Sequence, residues 1–243
     1  MVSQDLVKFE NRVMNTFKNT LRVIEQDGLI VTKYLPLNKR AHYYVEETKK
    51  ERIVLHYTVG NTMSDFQQLT NGSKVSVAYL IAQSGQIIEL FDPKYWAYHL
   101  GPEALGGNTM QSKKCIGIEI SNYGWLERKG DKLYTAYGDI YCDIKDTDKY
   151  DDFSKNPFRV NVDPSKFKEG QYWSKFNDAQ YNSIKLLLQY LSKRFNIPCQ
   201  FLPSELRLEY TEKAINFNGI ITHVNLRKDK WDIGPNFDWD KIV

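Results

Sequence analysis

Histidine is scarce in this chain. Only His42, His56, His99 and His223 occur in 243 residues. His56 lies inside the apolar run RIVLHYTV (52–59), and His223 ends the apolar run GIITH (219–223). One histidine in such a place is ordinarily a satisfied core or edge residue. Two at matching positions, with Asp232 nine residues after the second, suggest a shared purpose. Imidazole nitrogen and carboxylate oxygen are donors that hold Zn²⁺ at about 2.0–2.2 Å, and three protein ligands leave a fourth position for water. Zinc so held polarises a carbonyl and brings the pKa of its water to about 7.

Such chemistry needs a base for the water and a positive partner for the developing oxyanion. Glu119, near the end of the strand-like run CIGIEI (115–120), is a carboxylate among apolar neighbours. On an edge strand it would be a solvated charge; beside two histidine-bearing strands it is a candidate general base. Lys230 precedes Asp232 by two residues and can reach the same cavity. Lys228 and Arg227 fit better as solvated loop charges.

The elements that must position these groups alternate between strand and helix, which predicts an α/β fold, a central mixed sheet flanked by helices. RIVLHYTV reads as a buried strand. VSVAYLIA (75–82) and QIIELF (86–91) flank Ser84-Gly85 and read as a hairpin. CIGIEI is a further strand in which Gly117 allows close backbone approach. Asn177 or Asp178 caps a strong helix with Tyr181, Ile184, Leu187, Leu188, Leu191 and Phe195 on one face, stopped before Pro198. GIITH is the last strand.

Before all of these, Leu6, Phe9, Val13, Phe17, Leu21 and Ile24 recur at spacings of three and four. That pattern predicts an amphipathic helix, capped by Ser3 and ended at Gly28. Residues 1–49 are therefore expected to be a helical extension packed on a domain spanning 50–243. Residues 125–173 are polar, aromatic and rich in turns, and read as a long surface insertion. Its aromatic side chains suit either of two tasks, pinning the loop to the domain or lining a glycan-binding cleft. Its aspartate-rich stretch YGDIYCDIKDTDKYDD lacks the spacing of an EF-hand loop.

These pieces occur in a known order. IVLHYT, VAYLIAQSGQIIEL, WAYHLG, IGIEI and ITHVNLRKDKWDIGPNFDW resemble, in sequence along the chain, the type-2 N-acetylmuramoyl-L-alanine amidases, a superfamily that includes phage endolysins, recycling amidases and peptidoglycan recognition proteins. The resemblance spans roughly residues 50 to 240. It implies that His56, His223 and Asp232 are zinc ligands, Glu119 the base and Lys230 the oxyanion partner. It places His99, in WAYHLG, near the cleft in a supporting or substrate-contacting role. Asp-Ile-Gly-Pro stands where many members have Asp-Pro-Gly-Pro. Val77 stands where some phage members carry a catalytic tyrosine, which throws the base role onto Glu119.

The resemblance implies hydrolysis of the amide between the lactyl group of N-acetylmuramic acid and L-alanine, with peptidoglycan or a muropeptide as substrate. A phage-type endolysin is the expected role. A cytoplasmic recycling amidase, a non-catalytic peptidoglycan-binding module and a closed structural zinc site are the alternatives. Ligation requires neutral imidazoles, so activity is expected to fall below about pH 6.

Composition limits the rest. An apolar fraction of 42% with 26% charged residues is that of a globular protein. A net charge of +3 without a basic stripe argues against nucleic acid as a partner. No run approaches the ~18 apolar residues of a membrane helix, so no membrane insertion is expected. Cys115, Cys142 and Cys199 are too few and scattered for a disulfide framework. Cys115 reads as a small buried hydrophobe. The polar start MVSQDLVKFENRV is no signal peptide, so synthesis in the cytoplasm is expected, with action on the cell wall if the chain is an endolysin.

Overall fold

The computed structural model describes residues 20–36, 42–154 and 171–242. A seven-stranded mixed sheet forms the centre. Its strands are β1 (Leu21–Gln26), β2 (Leu29–Tyr34), β3 (Arg52–Tyr57), β4 (Tyr79–Ile81), β5 (Ile87–Glu89), β6 (Cys115–Ile120) and β12 (Gly219–Thr222), in the order β1-β2-β5-β4-β6-β3-β12. Strands β4, β6, β3 and β12 run parallel, so their carboxyl ends share one edge. The expected 75–91 hairpin is present as the antiparallel β4–β5 pair.

Among the described residues three α-helices accompany the sheet: α1 (Thr62–Leu69), α2 (Asn108–Lys114) and α3 (Asp178–Phe195). Asn177 caps α3 in a full capping box with Gln180, and Asn196 ends it in the left-handed conformation. Tyr181, Ile184, Leu187, Leu188 and Leu191 are buried along α3 in the cluster that also holds Ile53, Leu55, Ile118 and Tyr79. Side chains alternate across a strand, so Val54 and Ile221 enter a second cluster, with Leu100, Cys115, Leu202 and Leu226. Cys115 is thus the buried hydrophobe its neighbours suggested.

The N-terminal expectation needs correction. Most of the anticipated helix lies outside the described residues, but Leu21 and Ile24, its last two apolar positions, are in strand β1. Asp27 (φ +48°) and Gly28 (φ +82°) form a two-residue connection between Gln26 and Leu29, which pair. Asp-Gly with both residues at positive φ is the turn that matches strand twist, and it outweighs the three-and-four spacing; in β1 Leu21 is buried while Val23 is exposed. The hairpin is no separate appendage. β2 pairs parallel with β5, and Leu21, Leu29 and Val31 join the main core.

Within 125–173 the polar sequence hides strands. β7 (Trp125–Lys129), β8 (Lys132–Tyr134), β9 (Ile140–Asp143), β10 (Tyr150–Asp152) and β11 (Tyr172–Ser174) form an antiparallel sheet in the order β10-β11-β7-β8-β9. Leu126, Leu133, Cys142, Tyr150 and Tyr172 make a small core of its own. Trp173 is fully buried in the main core. Of the insertion's aromatics, Trp173 pins it to the domain and Tyr150 and Tyr172 fill its own core, whereas Tyr137 stays exposed.

Candidate active site

Parallel strands that end together present their terminal side chains on one crevice, a common place for a site in α/β sheets. Here β3 pairs with β6 so that His56 lies opposite Glu119, and neighbours in register project from the same face. β12 pairs with β3 as far as Thr222–Leu55, so His223 leaves the strand beside His56. A 3-10 turn, His223–Asn225, follows at once. Asn225 secures it: its Oδ1 accepts from Thr222 N and Oγ1, and its Nδ2 donates to the carbonyls of Leu206 and Glu209. The loop then returns, and Val224 N donates to the Asp232 carbonyl at 3.2 Å. Gly234 (φ +85°) makes the turn that follows, packed against Trp173.

The three expected ligands meet. His56 Nδ1 lies 3.0 Å from His223 Nδ1 and 3.1 Å from Asp232 Oδ2; His223 Nδ1 and Asp232 Oδ2 are 2.9 Å apart. All three residues are buried, and they are a set able to hold a metal ion among the described residues. The other ring nitrogens are engaged outward. His223 Nε2 reaches the Leu100 carbonyl at 3.0 Å, which also accepts from Arg227 Nη1 at 3.2 Å. His56 Nε2 meets His99 Nδ1 at 3.0 Å.

The charge states suit cation binding. Burial, reinforced by His223, pushes His56 down to about 4, so its imidazole is neutral at neutral pH. Burial alone would raise the Asp232 carboxyl, yet the adjoining histidines hold it well below the usual carboxylate range. Neutral imidazole and ionised carboxylate are the forms that ligate. The donor geometry also fits: zinc with ~2.05 Å bonds in a tetrahedron spaces its ligand atoms about 3.3 Å apart, close to the triangle seen.

Glu119 lies beside the triangle. Its Oε2 is enclosed and has no hydrogen-bond partner among the described residues. Burial, then the charges of Asp232 and Asp65, push its carboxyl well above the usual range, while Lys230 draws it down. The field of Lys230 also reaches His56, so the lysine is within electrostatic range of both. A raised carboxyl pKa is typical of groups that move protons near neutrality.

Two residues escaped the sequence reading. Tyr57, next to His56, buries a hydroxyl without a partner among the described residues; after burial itself, Asp232 and Glu119 are the groups that raise it. Asp65 is buried on α1, accepting from Thr58 Oγ1 at 2.8 Å and Ser121 Oγ at 2.7 Å. Gly60 is required there because a side chain would strike the Asp65 carboxylate. No sequence signal marks Asp65, since its partners lie just past the ends of two different strands, β3 and β6. His42, the remaining histidine, is distant in role. It packs among Tyr34, Tyr43 and Phe91 with Nε2 on the Leu90 carbonyl.

Comparison with known proteins identifies the family and the fold. Escherichia coli (strain K12) N-acetylmuramoyl-L-alanine amidase AmiD is 26% identical over 119 residues, a match covering 46% of this chain and 43% of that protein. The solved complex of E. coli AmiD with anhydro-N-acetylmuramic acid-L-Ala-D-gamma-Glu-L-Lys superposes at a TM-score of 0.50 and 20% identity, covering 90% of this chain and 64% of the other. This chain therefore accounts for less than two thirds of that relative, and the structural likeness speaks for the shared α/β fold. The N-acetylmuramoyl-L-alanine amidase family profile matches residues 46–235, most of the length, and the chain belongs to that family.

Proposed function

We propose that the protein is a zinc-dependent N-acetylmuramoyl-L-alanine amidase that cleaves the lactyl–L-alanine amide of peptidoglycan. The observation that carries this reading is the convergence of His56, His223 and Asp232 within about 3 Å of one another, with Glu119 opposite His56 in the paired strands and Lys230 in electrostatic range of both. His56 Nδ1, His223 Nδ1 and Asp232 Oδ2 would hold the ion. Zinc supplies Lewis acidity toward the scissile carbonyl and acidity to water.

The chain's own groups do the rest. Glu119 takes the proton of the attacking water and passes it to the departing amine nitrogen. Its low-dielectric surroundings keep that carboxyl basic enough to accept a proton near neutral pH. Lys230 places a positive charge where the carbonyl oxygen becomes an oxyanion. The buried triangle keeps its ligands from reorganising as charge develops.

We further propose action on the polymeric wall, as a phage-type endolysin, in preference to recycling of soluble muropeptides. Two additions support it, the β1–β2 hairpin and the second sheet that walls the Asp232–Gly234 turn through Trp173. Among the described residues no helix is long and apolar enough to cross a membrane. Mass spectrometry of purified peptidoglycan digested with zinc-loaded wild type and Glu119→Ala tests the chemistry. Stem peptides beginning at L-alanine should appear with wild type alone. Release by neither protein, with both still sedimenting with the wall, would replace the enzyme by a binding module. Faster turnover of soluble muropeptides than of intact wall would replace the endolysin by a recycling enzyme.

A further inference from the structure

Two consecutive residues, His99 and Leu100, receive the outward nitrogens of the two histidine ligands. His223 Nε2 meets a backbone acceptor, the Leu100 carbonyl, at 3.0 Å. A carbonyl can only accept, so the His223 proton sits on Nε2 and Nδ1 is left with its lone pair facing His56 and Asp232. His56 has no such guarantee. Its Nε2 meets a side chain, His99 Nδ1, at 3.0 Å, and an imidazole nitrogen can donate or accept.

We propose that His99 is the positioning residue of His56: it accepts from His56 Nε2–H at Nδ1 and thereby leaves the His56 Nδ1 lone pair aimed at the ion. This rests on the zinc reading above. The tautomer of His99 follows, with its own proton on Nε2, a nitrogen that is enclosed and has no partner among the described residues. Outer hydrogen bonds of this kind set ring orientation and tautomer, and losing one costs about 10–100-fold in metal affinity.

The surroundings place the His99 ring for that task. Gly117, in β6, has no side chain, and a Cβ there would lie 3.0 Å from His99 Nδ1, 3.1 Å from His99 Cγ and 2.8 Å from a Val77 methyl. The close approach expected at Gly117 is thus the approach of this ring. Past Leu100 the chain turns at Gly101 (φ +81°), against which the Arg227 guanidinium packs while it donates to the Leu100 carbonyl. One short segment therefore orients both ligands, one through its backbone and one through a side chain. The inference separates two roles open to His99. It acts through His56, and its ring serves the ion rather than the substrate.

The test uses the full chain with His99→Leu, which removes the acceptor, and His99→Asn, whose Oδ1 stands where Nδ1 stood and can accept from His56 Nε2–H. Zinc affinity is read by competition with a chromophoric chelator, kcat and KM are read at saturating zinc, and thermal melts establish that each variant is folded. His99→Leu should bind zinc about 10–100-fold more weakly, His99→Asn should recover most of that loss, and KM should stay within about threefold of wild type in both. Gly117→Ala reaches the same bond from the other side and should weaken zinc with His99 intact. Wild-type zinc affinity in His99→Leu with a raised KM would overturn the inference and make His99 a substrate contact. A His99→Asn variant no better than His99→Leu would overturn it too. If wild type itself binds no zinc, or His223→Ala binds it as well as wild type, the zinc reading fails and takes this inference with it. His223→Ala losing zinc while His99→Leu keeps it would sink this inference alone.

Discussion

Replacing Asp65 by asparagine should make the protein's stability respond differently to pH. Asp65 is only 6% exposed, and burial pushes its carboxyl from 3.8 up to about 7 against the lowering effect of hydrogen bonds from Ser121, Thr58 and Ser64. Between those two values the folded chain keeps a proton that the unfolded chain has lost. Stability contributed here therefore falls as pH rises, by about 1.4 kcal/mol per unit. Over some three units the loss sums to about 4 kcal/mol, absent below about pH 4 and complete above about pH 7. Asparagine cannot ionise, so it keeps an acceptor for Thr58 and Ser121 and removes the slope. Urea unfolding of metal-free wild type and Asp65→Asn, followed by tryptophan fluorescence, measures the difference at several pH values. The variant should gain about 4 kcal/mol relative to wild type between about pH 4 and pH 8, roughly 8–16 °C in Tm for a chain of this size. Titrating groups remote from Asp65 are common to both proteins and cancel in the difference; Glu119, whose carboxyl Asp65 helps to raise, moves that difference in the same direction. A difference independent of pH would show that Asp65 is ionised at no unusual cost and would refute the argument.

Four further outcomes are expected. Glu119→Gln should lose about 10²–10⁴-fold in kcat with zinc affinity retained, checked by turnover of a muropeptide amide beside a zinc titration. Asp232→Ala should lose zinc under conditions that saturate wild type, because two imidazoles are left without the carboxylate; equilibrium dialysis with metal analysis reads this directly. Gly101→Ala puts a methyl into the Arg227 guanidinium at a positive φ and should cost about 1 kcal/mol or more in stability, visible in thermal melts. His42 is pushed down to about 4, chiefly by burial. It is neutral when folded while its unfolded counterpart charges below about 6.5, so its contribution is full above that pH and fades toward 4. In metal-free protein His42→Phe should flatten the acid loss of stability between those values by about 3 kcal/mol, as read by urea unfolding.

How much of this was legible beforehand follows from the range of the forces involved. Apolar runs ending at His56 and His223, a carboxylate nine residues on, and Glu119 within an apolar strand are local facts. Strand and helix periodicity follow from local burial patterns, so the mixed α/β sheet, the β4–β5 hairpin and α3 with its Asn177 cap could be read from them. The Asp27-Gly28 turn was equally local. The spacing of Leu21 and Ile24 also fits a helix, and the pairing with β5 that holds the hairpin in the sheet is remote in sequence.

Tertiary structure alone decided the rest. Whether Glu119 is a solvated edge charge or a desolvated acid depends on β6 lying between β3 and β4, which no residue near 119 encodes. The five strands within 125–174 are short and polar outward, and their small core exists only once they pair. His99 approaches His56 across 43 positions through space left by Gly117, and Asp65 collects its donors from Thr58 and Ser121. The sequence determined which groups were available for chemistry, because side-chain chemistry belongs to the residue. Their distances, protonation and partners belong to the packed chain, because desolvation and hydrogen bonding act between residues brought together only by folding.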